Sequence, residues 1–268
     1  MTATSAYLAG LLAMCLVAAG VWLASVRLRD VSIVDSFWSL FFLLGTIVYA
    51  IVTPDSGPRA VLLIALVGAW ALRLAGYITW RNHGTGEDIR YVAMRERNGE
   101  SFTYTSLYRV FILQAVLAWF ISQPLLAGVI AGSPLNWLDA AGVAVWALGF
   151  FFETVGDYQL AAFKANPDNK GKVMDRGLWR YTRHPNYFGD FCVWWGFYLI
   201  AVAGGGWWTI AAPALMSFLL LKVSGVALLE KDIGNRRPGY AEYVRSTNAF
   251  FPGPPRAAGL NEPVNGDI

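Results

Sequence analysis

The densest run of reactive side chains is Gly177-Leu-Trp-Arg-Tyr-Thr-Arg-His-Pro-Asn-Tyr-Phe-Gly-Asp190. Its 14 residues include two Arg, a His, an Asn, two Tyr and an Asp, and Lys164, Lys170 and Lys172 precede it. The planar fork of Arg suits a phosphate. Asn and Asp suit ribose hydroxyls or a carboxamide, and Tyr and Trp offer faces to a flat base. Pro185 disfavours helix at His184 and is a natural first-turn residue for a helix that follows. Free N–H groups at such a helix start can receive an anion. A nucleotide-like cofactor at a membrane surface needs this set. A basic loop lying on anionic lipid is the plainer reading. It accounts for the Lys and Arg but not for the His-Pro-Asn-Tyr between them. No Walker sequence and no strand-borne GxGxxG is present, which excludes the standard nucleotide folds.

Seven ionisable residues, Asp190 of this run among them, lie inside or at the ends of apolar runs: Asp35, Arg73, Glu153, Asp157, Asp190, Lys222 and Glu230. Such groups are costly in lipid and normally face a bundle interior. Five of them fall near helix ends on one face of the membrane, where they are expected to line a polar cavity. A single acid there would simply snorkel to the interface. Glu153 and Asp157, four apart, share a helix face. They repel unless a cation such as Lys164, Arg180, Arg183 or a ligand lies between them. Arg73 keeps its charge and needs a carboxylate; Asp35 is the expected partner. Tyr77 follows Arg73 by one turn.

The elements that position these groups are read from hydropathy. The chain is 56% hydrophobic and 15% charged, well below the charge of soluble domains. About 20 apolar residues cross a bilayer. Seven stretches qualify: 6–26, 33–52, 60–80, 110–131, 137–156, 187–203 and 207–229. The fold expected is therefore an all-α polytopic membrane protein, with one seven-helix domain over 1–251 and a disordered tail over 252–268. Loops one, three and five and the C-terminal tail hold eighteen of the 21 Lys and Arg. Loop two holds only Arg59, and Arg73 and Lys222 lie within helices. The positive-inside rule then puts the N-terminus outside and the C-terminus in the cytosol. Residues Met1–Gly10 lack the basic start of a signal peptide, so a retained first span is expected. A net charge of +3 suggests no nucleic-acid partner. Two His and two Cys within apolar runs suggest no metal site and no disulfide.

These residues carry a resemblance. Arg183-His184-Pro185-Asn186-Tyr187-Phe188-Gly189-Asp190, with Gly177-Leu178-Trp179 before and Trp194-Trp195-Gly196 after, resembles the DUF1295 membrane family, grouped with the steroid 5-alpha-reductase C-terminal domain. So do Asp30–Trp38, Trp80–Asp88, Leu229–Asp232, Tyr240–Arg245 and Phe250–Pro252. Membrane methyltransferases of prenylated cysteine share the Arg-His-Pro-x-Tyr core. The resemblance implies a cytosol-facing NADPH cavity built from about residues 150–251. Asp157, Lys164, Asn186 and Asp190 would touch the cofactor. Tyr181, Arg183, His184, Tyr187 and the polar helix end at Glu230 are further candidates. In the reductases a Glu of the second helix and a Tyr of the third polarise an enone carbonyl. Asp35 sits near the Glu position, while Trp70 occupies the Tyr position and Tyr77 lies two turns beyond.

The expected function is a membrane-embedded, NADPH-dependent reductase of an activated C=C bond in a lipophilic substrate, steroid-, isoprenoid- or fatty-acyl-like. Asp35, Arg73 and Tyr77 are the catalytic candidates, and the active face is expected to be cytosolic. Membrane lipids are the other expected partner. S-adenosylmethionine-dependent methylation of a membrane substrate is the alternative. A non-catalytic lipid-binding or accessory subunit is the third reading.

Overall fold

A computed structural model of the protein describes residues 2–54, 56–223 and 239–256. Glu230, the rest of the Leu229–Asp232 stretch and the tail beyond 256 lie outside the described residues. Among the described residues every regular element is helical. The helices are α1 (Ala3–Leu28), α2 (Ile33–Val52), α3 (Pro58–Asn82), α4 (Ile89–Ile121), α5 (Gln123–Ile130), α6 (Trp137–Ala165), α7 (Pro185–Ala203), α8 (Trp207–Val223) and α9 (Tyr240–Ser246). Helices are the natural outcome for apolar sequence, since each satisfies its own backbone polar groups. Five of them, α1 to α4 and α6, are long and apolar enough to cross a membrane. The stretches expected as the sixth and seventh spans form α7, 19 residues long, and the shorter apolar α8, neither of which is among these five.

Local signals set the ends. Thr2 Oγ1 accepts from the Ser5 N–H at 3.2 Å and starts α1. Pro58 occupies the first turn of α3. Asp88 Oδ1 accepts from the Arg90 N–H at 2.9 Å and starts α4. The fourth span departs from the expectation of 110–131. Helix begins at Ile89, in what read as a basic loop, and breaks at Ser122. Charged residues are tolerated there because α4 is 33 residues long, about 50 Å at 1.5 Å per residue. That exceeds a hydrocarbon core of roughly 30 Å. The break follows from Pro124, which has no N–H to give. The Trp119 carbonyl beside the break accepts from the Ser122 N–H at 3.2 Å, from Ser122 Oγ at 2.7 Å and from Tyr7 Oη at 3.2 Å.

Two compact units emerge: Met1–Ala140 with Phe197–Ala212, and Ala141–Gly196 with Pro213–Ile268. In the first, α2 packs along α1 and α3, and α4 and α5 close on them. Phe41, Phe42, Tyr49 and Trp70 are fully buried. Gly10 lies directly under the Tyr49 ring, where any side chain would collide. The Tyr49 hydroxyl reaches Ser122 Oγ at 2.7 Å. The outer side of α1 exposes Leu8, Leu12, Leu16 and Leu23, an apolar stripe suited to lipid.

Arg59, expected in loop two, lies in the first turn of α3 and is fully buried. Its Nε meets Asp139 Oδ1 at 2.7 Å and its Nη2 meets Oδ2 at 2.8 Å. The remaining N–H groups reach Ser133 O, Ser133 Oγ and Pro134 O at 3.1 to 3.2 Å. Asn136 donates its backbone N–H to Asp139 and its Nδ2 to Ala203 O. The pair thus ties the start of α3 to the α5–α6 connection, and Asn136 extends the tie to the end of α7.

In the second unit α6 and α7 touch backbone to backbone. Glycines recur every seven residues, at 142, 149 and 156 on α6 and at 189 and 196 on α7. A Cβ at Gly149 would strike Gly189 O and Val193 N, and one at Gly196 would strike Trp146 N and Gly142 O. A Cβ at Gly189 would strike the Glu153 N and Gly149 O. Small residues permit this approach, as they do between membrane helices.

Gly189→Val should cost about 3 kcal/mol through overpacking of that contact; thermal unfolding in one detergent against wild type measures it. Arg59→Met should cost about 3–5 kcal/mol by leaving Asp139 buried and unpaired. Adding Asp139→Leu should recover much of that loss, and a double variant no more stable than the single one would contradict the assignment.

Candidate functional site

The candidate residues form one group in each unit. In the second unit the Gly177–Asp190 run is held from two sides. Gly177 has φ +58° and faces Gln159 so closely that a Cβ would not fit. Gln159 Oε1 accepts from the Leu178 N–H at 2.9 Å, and Trp179 Nε1 donates to Gly156 O at 3.0 Å. These bonds fix the run to α6. On the other side, Tyr243 Oη donates to Trp179 O at 2.5 Å and Thr182 Oγ1 to Phe250 O at 2.7 Å. The Arg183 N–H donates to Asn248 O at 2.9 Å. Arg183 Nη1 reaches Thr247 O at 3.1 Å and Val244 O at 3.3 Å. The guanidinium therefore rests on carbonyls at the end of α9, where a cation is favoured. The clamp extends past the expected start of the tail. Gly253 N donates to Tyr181 O, Asn248 Nδ2 reaches Pro254 O, and Arg256 N donates to Ser246 O.

His184 is buried, 5.8 Å in ring centroid from Tyr187. Pro185 opens α7, as its position before the apolar run predicts. Asn186, one residue on, sends Nδ2 to Asp157 Oδ1 at 3.2 Å. Glu153 and Asp157 are only 3% and 5% exposed. Their placement follows from Gly149, Gly156 and Gly189, which let α7 approach the very face of α6 that carries them. Asp190 lies one turn beyond Asn186 and is half-buried. Lys164 is exposed near the end of α6, two turns after Asp157, and Tyr181 is exposed on the clamp. Buried carboxylates beside an amide suit hydroxyls and a carboxamide rather than phosphate. The exposed Lys164 suits phosphate. The donor set therefore fits a nucleotide cofactor.

In the first unit Asp35 sits in the opening turn of α2. It accepts from Tyr91 Oη at 2.7 Å on one oxygen and from Arg90 Nη2 at 2.6 Å on the other. The expected Asp35–Arg73 pair is therefore replaced: the hydrogen bonds of Asp35 come from α4. Gln114 Nε2 lies 3.5 Å from Tyr91 Oη. Tyr91 is 6% exposed. Arg73 is half-buried along α3, and Tyr77 tilts against Trp80 at 6.0 Å with Arg81 over its ring. Trp70 is wholly core, against Phe42 and Phe197.

Arg90 and Tyr91 were not among the sequence candidates. The signal was Glu87-Asp88-Ile89-Arg90-Tyr91, an acid able to cap followed by helix formers, hidden within a span read as loop. The same run is pinned to the α1–α2 turn. Glu87 Oε1 accepts from the Val31 N–H at 2.8 Å, and Ser32 Oγ accepts from the Asp88 N–H at 2.6 Å. Arg95 donates to both Glu87 oxygens at 2.8 and 3.0 Å. Burial pushes the Glu87 carboxyl up, but the Arg95 hydrogen bonds, the Val31 N–H and the Arg95 charge hold it below the usual range. Asp88 is likewise lowered: burial opposes, and Arg90 outweighs it.

A depressed folded pKa gives stability that is present above the ordinary Glu range and lost as pH falls through the folded value. The melting temperature should therefore fall on acidification below about pH 4.5. Glu87→Gln should be less stable at pH 7 and should flatten part of that acid slope. An unchanged slope would exclude Glu87 as a contributor.

The chain is 24% identical over 284 residues to an uncharacterized protein of Schizosaccharomyces pombe, covering 93% of this chain and 80% of that one. It is 40% identical over 67 residues to the probable O-methyltransferase ustE of Ustilaginoidea virens. That second match covers 25% of this chain and 22% of the relative. No solved structure matches. The sequence profile of the family described as protein of unknown function, DUF1295, matches residues 21–247. With its helical membrane build and its Arg-His-Pro-Asn-Tyr run inside the matched region, the chain belongs to the DUF1295 family.

Proposed function

We propose that the protein is a membrane-embedded, NADPH-dependent reductase of an activated C=C bond in a lipophilic substrate. The observation that carries this reading is the Tyr91–Asp35–Arg90 chain, a buried phenol donating to a carboxylate that a guanidinium holds from the other side. Tyr91 is the proton donor to a substrate carbonyl oxygen as charge develops there. Asp35 orients the phenol and offers a route for its proton to be replaced. Arg90 keeps Asp35 in place. Arg73 and Tyr77 on α3 are further candidates for contact with the substrate. Asp157, Asn186 and Asp190 would hold the ribose and carboxamide of the cofactor, and Lys164 would serve its phosphates, with His184 and Tyr187 around them. Arg183 acts by fixing α9 against the run. NADPH, when bound, supplies a hydride to the β-carbon of the substrate.

The proposed topology has seven spans, the N-terminus outside and the active face cytosolic. Burial of Arg59 in its ion pair supports it, because loops two, four and six then present no solvent-facing Lys or Arg.

Methyl transfer from S-adenosylmethionine is the second reading, and the 67-residue similarity to ustE favours it. A single melting series separates the two. A ligand at about 100 times its Kd stabilises by about 2.7 kcal/mol. NADPH should raise the melting temperature of the detergent-purified protein, and Asn186→Ala should reduce that rise. Stabilisation by S-adenosylhomocysteine alone would select the methyltransferase, and no shift with either would remove both. Tyr91→Phe should lower turnover at least about 100-fold while leaving the NADPH shift intact.

A further inference from the structure

We propose that the outer surface of the clamp in the second unit is a binding site for anionic lipid headgroups, carried by Arg180, Arg245 and Arg256 and by the exposed rings of Tyr158, Tyr181 and Phe251. The inference rests on the chain spanning a membrane and not on which cofactor it uses.

Hydrogen bonds tie together the three backbone stretches that carry the arginines. Arg180 follows Trp179, whose indole holds Gly156 O and whose carbonyl accepts from Tyr243. Arg245 lies two residues after Tyr243 on α9. The Arg256 N–H donates to Ser246 O, beside Arg245. All three side chains are exposed, and none makes an ion pair among the described residues. Exposed arginines with no acidic partner among the described residues thus lie on stretches that backbone bonds hold together.

Depth identifies the ligand. Helix α6 has 29 residues, about 43 Å at 1.5 Å per residue, and opens on Trp137, 75% exposed. Exposed Trp marks a headgroup boundary. About 20 residues cross the hydrocarbon, so α6 leaves it near Gly156. Gly156 is the residue that anchors Trp179, which places the clamp at the second boundary. The exposed rings agree. Tyr158 is 72% exposed, Tyr181 45% and Phe251 62%. Phe251 lies 6.0 and 5.8 Å from Phe188 and Phe191, in the first turns of α7. Exposed rings and exposed arginines at this level suit acyl chains and the phosphates above them.

The test uses the full chain in nanodiscs of phosphatidylcholine with one-third phosphatidylglycerol, with retained lipids counted by native mass spectrometry. Wild type should retain phosphatidylglycerol in clear excess over its share. Charge near a membrane surface is worth about fivefold in affinity per arginine, so R180Q/R245Q/R256Q should reduce the excess at least about tenfold. The control R27Q/R29Q/R97Q removes three exposed arginines of the first unit and should leave the excess nearly unchanged. Equal losses in the two triple variants, or no excess in wild type, would overturn the site. In detergent, phosphatidylglycerol should stabilise wild type more than the clamp triple variant, and inorganic phosphate at the same concentration should not. Equal stabilisation by phosphate would mean a free-anion site and would overturn the lipid assignment.

Discussion

Backbone hydrogen bonding without water is the constraint on which the rest of this structure depends. Apolar helices meet it alone, and each departure from a regular helix requires a side chain to take over. At the α4–α5 break the hydroxyls of Ser122 and Tyr7 serve the Trp119 carbonyl. Before the widened turn at Leu107–Ile112, Trp22 Nε1 serves Thr103 O at 2.9 Å. The irregular Gly177–Arg183 run is the largest departure, and nearly every one of its residues has a bond to α6, to α9 or to the segment after α9. Thr182 and Arg183 replace missing backbone partners, whereas Asn186 pairs with a buried acid of α6.

The buried charges divide in the same way. Arg59 and Asp139 satisfy one another and lock connections, a use of ionic groups that gives specificity of structure at little net gain in stability. Asp35 differs. Both of its oxygens are occupied, one by a phenol that can exchange a proton, and Arg90 on the other is 43% exposed in its side chain. A carboxylate between a buried donor and an accessible cation is suited to proton transfer, whereas a closed fork such as Arg59–Asp139 is suited to holding loops.

The glycines of α6 and α7 show how packing supplies the site. Spacing of seven keeps Gly142, Gly149 and Gly156 on one stripe. Glu153 and Asp157 lie beside that stripe, so the contact that joins the helices also buries the carboxylates. Bulk at any of these positions would separate Asn186 from Asp157.

Composition, periodicity and local turn signals determined much of this protein from sequence. The helical membrane class, the bounds of α2 and the starts of α6 and α7 are local properties of apolar runs and of Pro and Ser or Asp at their ends. The Gly177–Asp190 run stood out because unusual residue types crowd into a short span. Tertiary structure alone decided the partners. Asp35 meets Tyr91 and Arg90, 56 and 55 residues away, because the Glu87 and Ser32 bonds fold the start of α4 onto the α1–α2 turn. Arg183 reaches the end of α9 because α9 packs beside the run. Spacing along a chain says which side chains share a helix face; it carries no record of which distant backbone turns against it.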